Sequence, residues 1–300
     1  MSESDCRRVA VVGPGGVGCF FAAHLADIGH DVLACARRPF DRYVVESDVA
    51  PVEGPATVVV DPRSLPWRGP ADWVLVGLKT HQTADAAAWF EPLCGPDTVV
   101  VALQNGVDAV ARLDPLVAGA EVLPTVVYCG GEVLAAGHVL NTMGGRLIVP
   151  DGPSAQGLIE LCAGSAIVIE PSTSYDVAAW VKLGLNVVAN GLTALTGKPL
   201  GVLGDPAIEP VARALLRECW TVGAAIGVPL ELDGIEDTIA AMAAMAEGST
   251  SMAQDVRAGR PTEYDALHGA VIRTGRGAGV ATPVHEVVYG LLAARERPPN

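Results

Sequence analysis

The sequence has no concentration of positive charge. Its 300 residues include 20 lysines and arginines against 34 aspartates and glutamates, a formal net charge of −14, and no basic run exceeds two residues. Such a chain repels nucleic acid and anionic membrane surfaces, and an anionic substrate would need a local basic residue to hold it. The seven cysteines (6, 19, 35, 94, 129, 162 and 219) form no C-x-x-C pair, and the six histidines show no H-x-x-x-H spacing. Neither a disulfide framework nor a metal site is expected, and the scattered thiols read as reduced cysteines in a cytoplasm. No apolar stretch approaches 18 uninterrupted residues. The N-terminal region carries two acids before Arg7-Arg8, and the apolar run after them breaks at Gly13. Neither a membrane span nor a signal peptide is expected.

What is present is apolar residue, at half of the chain. That is enough for two cores in a chain of this length, with solvated tails at Met1–Asp5 and Arg297–Asn300. The first half alternates short β-rich runs with helical patterns, the rhythm of a parallel sheet covered by helices. Strands are predicted at Val9–Val12, Asp31–Ala36, Thr57–Val60, Trp73–Gly77 and Thr98–Leu103, and helices at about Gly16–Ile28, Thr83–Pro92 and Val107–Leu113. Val122–Cys129, Gly131–Leu140 and Arg146–Val149 read as antiparallel strands added to the sheet edge. A helix at Ser154–Ala163 and a strand at Ile167–Ile169 follow. Beyond Pro171 the pattern turns helical, with segments near Asp176–Leu195, Pro206–Ile226, Gly234–Ala246 and Asp265–Ala278. The predicted fold class is α/β: a Rossmann-type, mostly parallel sheet domain over residues 1–171, then a smaller all-helical domain over 172–300.

The first strand runs into Gly13-Pro14-Gly15-Gly16-Val17-Gly18, a G-x-G-x-x-G followed by a helix. Gly13 permits the tight turn, Gly15 lets the backbone reach a pyrophosphate, and Gly18 lets helix and strand pack closely. The helix N-terminus then offers its unpaired N–H groups to phosphate. The second strand ends in Ala36-Arg37-Arg38 where an NAD enzyme would carry an acid for the ribose hydroxyl. A guanidinium at Arg37 suits a 2′-phosphate, so NADPH is the expected cofactor. Gly197-Lys198 is followed by Pro199, not Ser or Thr, and is no P-loop.

The apolar helix predicted at Asp176–Leu195 carries three polar exceptions, Lys182, Asn186 and Asn190, four residues apart and hence on one face. Burying them needs partners, which points to a stripe lining a cleft rather than facing solvent. Lys79, in Leu78-Lys79-Thr80-His81-Gln82, and Asn105, in Gln104-Asn105-Gly106, follow the carboxyl ends of predicted parallel strands, where open α/β sheets bind ligands. Ser249–Asp255 with Thr262-Glu263 reads by itself as helix capping.

Together these motifs resemble the ketopantoate reductase (2-dehydropantoate 2-reductase) family over nearly the whole chain. The specific matches are Leu78-Lys79, Gln104-Asn105-Gly106, Trp180-x-Lys182-Leu183-x-x-Asn186-x-x-x-Asn190-x-Leu192-Thr193-Ala194, and Ser251-Met252-x-x-Asp255 followed by Thr262-Glu263. The resemblance implies reduction of a 2-oxo acid by NADPH across a cleft between the two domains. It implies that Lys182 is the catalytic proton donor, and that Asn186, Asn190 and Ser251 bind substrate, with Ser251 near its carboxylate. Lys79, Asn105 and Glu263 correspond to residues around the nicotinamide and ribose, with Asn105 also at the substrate. For Glu263 two roles stay open, orienting the lysine or bonding the cofactor.

Two positions depart from the family. Its members carry Asn-Gly where this chain has Leu200-Gly201, and an Asn just before the Ser-Met pair is replaced by Gly248. Reduction of a 2-oxo acid is thus better supported than ketopantoate itself. A reductase of another oxo acid or an imine, as in opine-forming dehydrogenases, and a non-catalytic NADP-binding protein are the alternatives. A cytoplasmic homodimer acting on a small molecule is the expected assembly.

Overall fold

The computed structural model describes residues 6–297, so the expected tails lie outside the described residues except for Arg297, which is exposed. Two compact units divide the chain, one of residues 1–104 and 108–175, the other of 105–107 and 176–300. The sequence-based boundary at 171 falls inside a strand, where Pro171 pairs with Val149.

The first unit begins with β1 (Arg8–Val12), α1 (Gly16–Asp27), β2 (Asp31–Cys35), β3 (Arg42–Glu46), β4 (Val52–Pro55) and β5 (Thr57–Val59). It continues with β6 (Trp73–Val76), α2 (Ala87–Leu93), β7 (Val99–Ala102), α3 (Ala109–Leu113), β8 (Glu121–Pro124) and β9 (Val126–Tyr128). Then come β10 (Gly131–Ala135), β11 (His138–Asn141), β12 (Gly145–Pro150), α4 (Pro153–Cys162) and β13 (Ile167–Ser172). The main sheet has the order β5-β2-β1-β6-β7-β8 with every pair parallel. Its strand succession reverses beside β1, the arrangement of a Rossmann-type sheet with a crevice at that switch point. Strand alternation supplies the layers on its two faces. Val9 and Val11 pack with Phe20 and Phe21 of α1 on one face, and Ala10 and Val12 with Phe90 of α2 and Leu113 of α3 on the other.

The predicted antiparallel edge is corrected by the structure. Residues 122–129 form two strands, of which β8 extends the parallel sheet and β9 pairs antiparallel with β12 in a separate sheet, β13-β12-β9. The break has a local cause. Pro124 has no N–H to continue the ladder, and the Thr125 hydroxyl donates to the Ala102 carbonyl at 2.7 Å, leaving Val126 to start anew. Strands β10 and β11 join a third sheet, β10-β11-β3-β4, whose β3 and β4 were not anticipated.

The second unit contains α5 (Tyr175–Thr196), α6 (Glu209–Ala225), α7 (Ile235–Ala244), α8 (Ser251–Arg257), α9 (Ala270–Ala278) and α10 (Pro283–Glu296). Helix α5 has Asp176 in its first turn, where the helix dipole favours an acid, and ends at Gly197, whose φ of +69° is the left-handed stop. Its Leu183, Val187, Val188 and Leu192 enter a core with Leu215 and Leu216 of α6, Ile239 of α7, Val271 of α9 and Leu292 of α10. Long and apolar as it is, α5 is the central helix of this core.

Candidate functional site

In the first unit, the end of β1 turns at Gly13, whose φ of +86° is a left-handed conformation that glycine adopts without penalty. Its N–H donates to the Cys35 carbonyl at 3.1 Å, and Gly15 N–H donates to the Gly13 carbonyl at 2.8 Å, closing the loop onto α1. A side chain at Gly18 would strike the Gly13 carbonyl, so helix and strand touch backbone to backbone there. At Gly15 an added Cβ would meet no atom within 4 Å, which leaves the backbone open to a ligand. Helix α1 starts without a side-chain cap and without an acid in its first turn. Unpaired N–H groups at a helix start, an uncrowded glycine and no repelling carboxylate fit a dinucleotide diphosphate. Arg37 and Arg38 follow β2 with both side chains exposed.

Beyond the ends of β6 and β7, one buried amide ties two loops together. Gln104 Nε2 donates to the Leu78 carbonyl at 3.0 Å and to Thr83 Oγ1 at 2.8 Å, and its Oε1 accepts from Arg112 Nε at 3.4 Å. Arg112 is held in turn by Asp108 at 2.6 Å. The half-buried Lys79 follows directly on the tethered Leu78.

The second unit gathers five of the predicted residues around one recess, lined by Asn105, Asn190, Ser251 and Glu263 with Met252, Asp255 and Leu267, and with Asn186 bonded to two of them. Their hydrogen bonds run end to end. The Met252 backbone N–H donates to Asn190 Oδ1 at 3.1 Å, and Ser251 Oγ donates to the same oxygen at 3.3 Å. Asn190 Nδ2 donates to Asn186 Oδ1 at 3.3 Å, Asn186 Nδ2 to Asn105 Oδ1 at 3.3 Å, and Asn105 Nδ2 to Glu263 Oε2 at 3.1 Å. Lys182 lies one turn before Asn186 on the same face of α5, and it is half-buried like Asn186. The stripe therefore does not face open solvent, as its burial cost required.

Two clamps fix the loop that presents Glu263. Arg260 Nε donates to the buried Asp255 carboxylate at 2.9 Å, while the N–H and hydroxyl of Thr262 both donate to Glu296 Oε1, at 2.7 and 2.6 Å. Helix α8 is capped as expected, Thr250 Oγ1 accepting from the Ala253 N–H at 3.2 Å. The same hydroxyl meets Thr193 Oγ1 of α5 at 2.7 Å.

Comparison with known proteins accounts for this arrangement. Residues 9–154 match the model of the family described as ketopantoate reductase PanE/ApbA, and residues 175–296 match that of its C-terminal portion. A 2-dehydropantoate 2-reductase of Caulobacter vibrioides is 38% identical over 288 residues, covering 95% of this chain and 98% of the relative. The chain belongs to the ketopantoate reductase family. A second such relative, from Mycobacterium tuberculosis, is 33% identical over 97% of this chain and 99% of its own length. The crystal structure of a PanE/ApbA family ketopantoate reductase from Ralstonia eutropha superposes with a TM-score of 0.87 at 32% identity, covering 96% of this chain and 98% of that one. The chain is thus an oxidoreductase with a Rossmann-type fold, a class that works with a nicotinamide cofactor.

Within the family pattern, the two departures meet each other. Leu200 is buried in the helical core, and a Cβ on Gly248 would lie 2.7 Å from Leu200 Cδ1. The backbones are joined there too, Leu200 N–H donating to the Gly248 carbonyl at 2.9 Å. The leucine occupies the room that the glycine leaves.

Residue-by-residue reading missed the Met252 N–H, because a backbone group leaves no mark in composition. It also missed the clamps from Arg260 and Glu296, whose only signal was charge close to Glu263 in the chain or in the last helical turn. The pair His268–His285 was missed as well. His285 Nε2 donates to the Leu215 carbonyl at 3.0 Å, so its Nδ1 accepts from His268 Nδ1, also at 3.0 Å. His268 Nε2 then has no partner and rests against Gly191, next to Asn190.

Proposed function

We infer that this protein reduces a 2-oxo acid to a 2-hydroxy acid with NADPH, with ketopantoate (2-dehydropantoate) as the favoured substrate. The observation that carries this reading is the gathering of Asn105, Asn186, Asn190, Ser251 and Glu263 around one recess, two of them on α5, the helix that also carries Lys182. The relatives' shared name supports the substrate. Arg37 after β2, with no acid beside it, supports the phosphorylated cofactor.

The roles follow from chemistry. Reduced nicotinamide, when bound, supplies a hydride to the ketone carbon. Negative charge then grows on the carbonyl oxygen, where the Lys182 ammonium stabilises it and delivers the proton that completes the alcohol. Asn186 and Asn190 hold the substrate oxygens in a fixed orientation, and the Ser251 hydroxyl turns from Asn190 towards the substrate carboxylate. Lys79, Asn105 and Glu263 would hold the nicotinamide ribose, and Gly13, Pro14, Gly15, Gly16, Val17 and Gly18 would hold the diphosphate. Lys182 also offsets the repulsion between an anionic substrate and a chain of charge −14.

The Leu200–Gly248 contact favours one variation, a 2-oxo acid whose tail carries fewer polar groups. The seven scattered cysteines, with no C-x-x-C pair, support a reducing, cytoplasmic setting, and the prevalence of two-fold oligomers supports a homodimer. The deciding experiment follows NADPH oxidation at 340 nm against a panel of 2-oxo acids, with and without amines. Turnover of ketopantoate without an amine is expected; cofactor binding with no turnover of any oxo acid would overturn the reading.

A further inference from the structure

An asparagine amide can ordinarily sit in either of two orientations that exchange its oxygen and nitrogen. The chain of bonds in the second unit removes that freedom, because its two ends are chemically unambiguous. A backbone N–H, that of Met252, can only donate, and the carboxylate oxygen of Glu263 accepts. Between them lie Asn190, Asn186 and Asn105, each touching the next. Only one combination of the three orientations pairs every contact. Reversing any single amide sets oxygen against oxygen on one side and nitrogen against nitrogen on the other.

We propose that Asn190, Asn186 and Asn105 form a single-direction hydrogen-bond relay, seeded at the Met252 backbone amide, that positions the Glu263 carboxylate. Asn190 and Met252 thereby act on Glu263 without touching it. Each bond in such a chain polarises the next, so the donor that Asn105 presents to the carboxylate is strengthened by the links behind it. The relay also fixes what the recess offers a ligand. Each of Asn186 and Asn190 keeps one uncommitted N–H, always on the same side. The Ser251 hydroxyl can leave Asn190 to meet a ligand without breaking the relay, since the Met252 N–H remains on that oxygen. The purpose of this device rests on the reductase reading of the site; its existence does not.

The chain has five asparagines, and three are in the relay. Protein labelled with 15N only in asparagine therefore gives a sparse spectrum of side-chain amides. Asn141, bonded to Gly144 in the first unit, serves as the control. Glu263→Ala is expected to shift the signals of Asn105, Asn186 and Asn190 and to leave Asn141 in place. In an Asn186→Ala background the same substitution is expected to shift Asn105 and to leave Asn190 unmoved, an outcome that general loosening of the fold would not produce. An Asn190 signal that ignores Glu263→Ala with the relay intact, or follows it with Asn186 removed, overturns the proposal. Should a variant fail to fold, neutron diffraction from deuterated wild-type crystals reads the amide orientations directly, and one reversed amide is enough to reject the relay. No substrate or cofactor enters either measurement. A protein inert towards every oxo acid would leave the relay standing, and a reversed amide would leave the turnover assay untouched.

Discussion

Only three lysines occur in the chain, Lys79, Lys182 and Lys198, and two of them lie in predicted site motifs. Lys182 stands on the polar face of α5, where it is the one member able to deliver a proton to a developing alkoxide. General acid catalysis contributes about 10²–10⁴-fold, so Lys182→Ala is expected to lower kcat by at least about 100-fold. Cofactor affinity, followed by nucleotide fluorescence, is expected to stay the same. Near-normal turnover in the variant would remove the lysine from its role. Arg37 makes a different kind of claim. A charge-assisted bond to a phosphate contributes about 1.5–3 kcal/mol, so Arg37→Ala should weaken NADPH binding by roughly 10- to 100-fold while NADH binding barely moves. Equal affinity of the unmodified enzyme for both cofactors would show that the guanidinium reads nothing.

At the scale of elements, the proposed recognition rests on α5 and the segments that meet it. Because Asn186 and Asn190 belong to one bonded chain, removing either disrupts the same structure. The double variant Asn186→Ala with Asn190→Ala is expected to lose less in kcat/KM than the two single losses multiplied together. Simple multiplication would mean that the two amides act separately. The paired backbones at 199–201 and 246–248 set the second expectation. A site built to bond a hydroxyl rejects an analogue without it by roughly 10⁴-fold, whereas an apolar site discriminates by only about 1–3 kcal/mol. With Leu200 packed over Gly248, kcat/KM for ketopantoate and for 3,3-dimethyl-2-oxobutanoate should differ by far less than that 10⁴-fold. A gap of full size would assign hydroxyl reading to the remaining asparagines.

The same elements differ in how visible they are in sequence. Helix α5 is legible almost to its ends, because an otherwise apolar run with polar residues at four-residue intervals fits a helix and little else. The parallel strands are legible from their apolar runs and the glycine turn. Strands β3 and β4 are not, since a run such as Arg42–Glu46 is short and charged at both ends. Helix α10 is hidden because Val287 and Leu291 are apolar yet exposed, which blurs the helical period. Of the candidate site, Lys182, Asn186 and Asn190 stand out by spacing and Lys79 and Asn105 by their place after strands, whereas Ser251 and Glu263 emerge only through the family resemblance. Their hydrogen-bond order is not legible, because it depends on Asn105 and Glu263, 158 residues apart, and on a backbone amide.

For the molecule as a whole, buried imidazoles set the response to acid. Burial holds the His285 pKa down at about 4, and burial together with the neighbouring His285 holds His268 well below the ordinary value. Burial also lowers His24 in the first unit. All three are neutral in the folded protein at neutral pH, and all would take up a proton near pH 6.5 once unfolded. Their contribution to stability is therefore complete above about pH 6.5 and is lost as the pH falls. For His285 the loss is complete only below about 4. Each imidazole contributes a slope that approaches about 1.4 kcal/mol per pH unit only between the unfolded value and its own folded pKa. Urea unfolding at pH 7.5, 6.5 and 5.5 measures it, where ordinary carboxylates stay almost fully ionised. A midpoint constant over that range would contradict the neutral pair.

Residues 105–107 belong to the helical unit, although the chain reaches them from β7 and leaves them for α3. Val107 packs on the helical core, and Asn105 is the last link before Glu263. The helical unit is consequently not a contiguous module. A fragment starting at residue 176 would carry all of α5 but Tyr175, together with Glu263 and both clamps, yet lack the amide that joins Asn186 to the carboxylate. Gene fusion, exon-like exchange or chimera building at the obvious boundary would transplant an incomplete binding unit onto a new sheet. Recombination that respects the site has to carry the loop after β7 along with the helices, which binds the inheritance of the two units together.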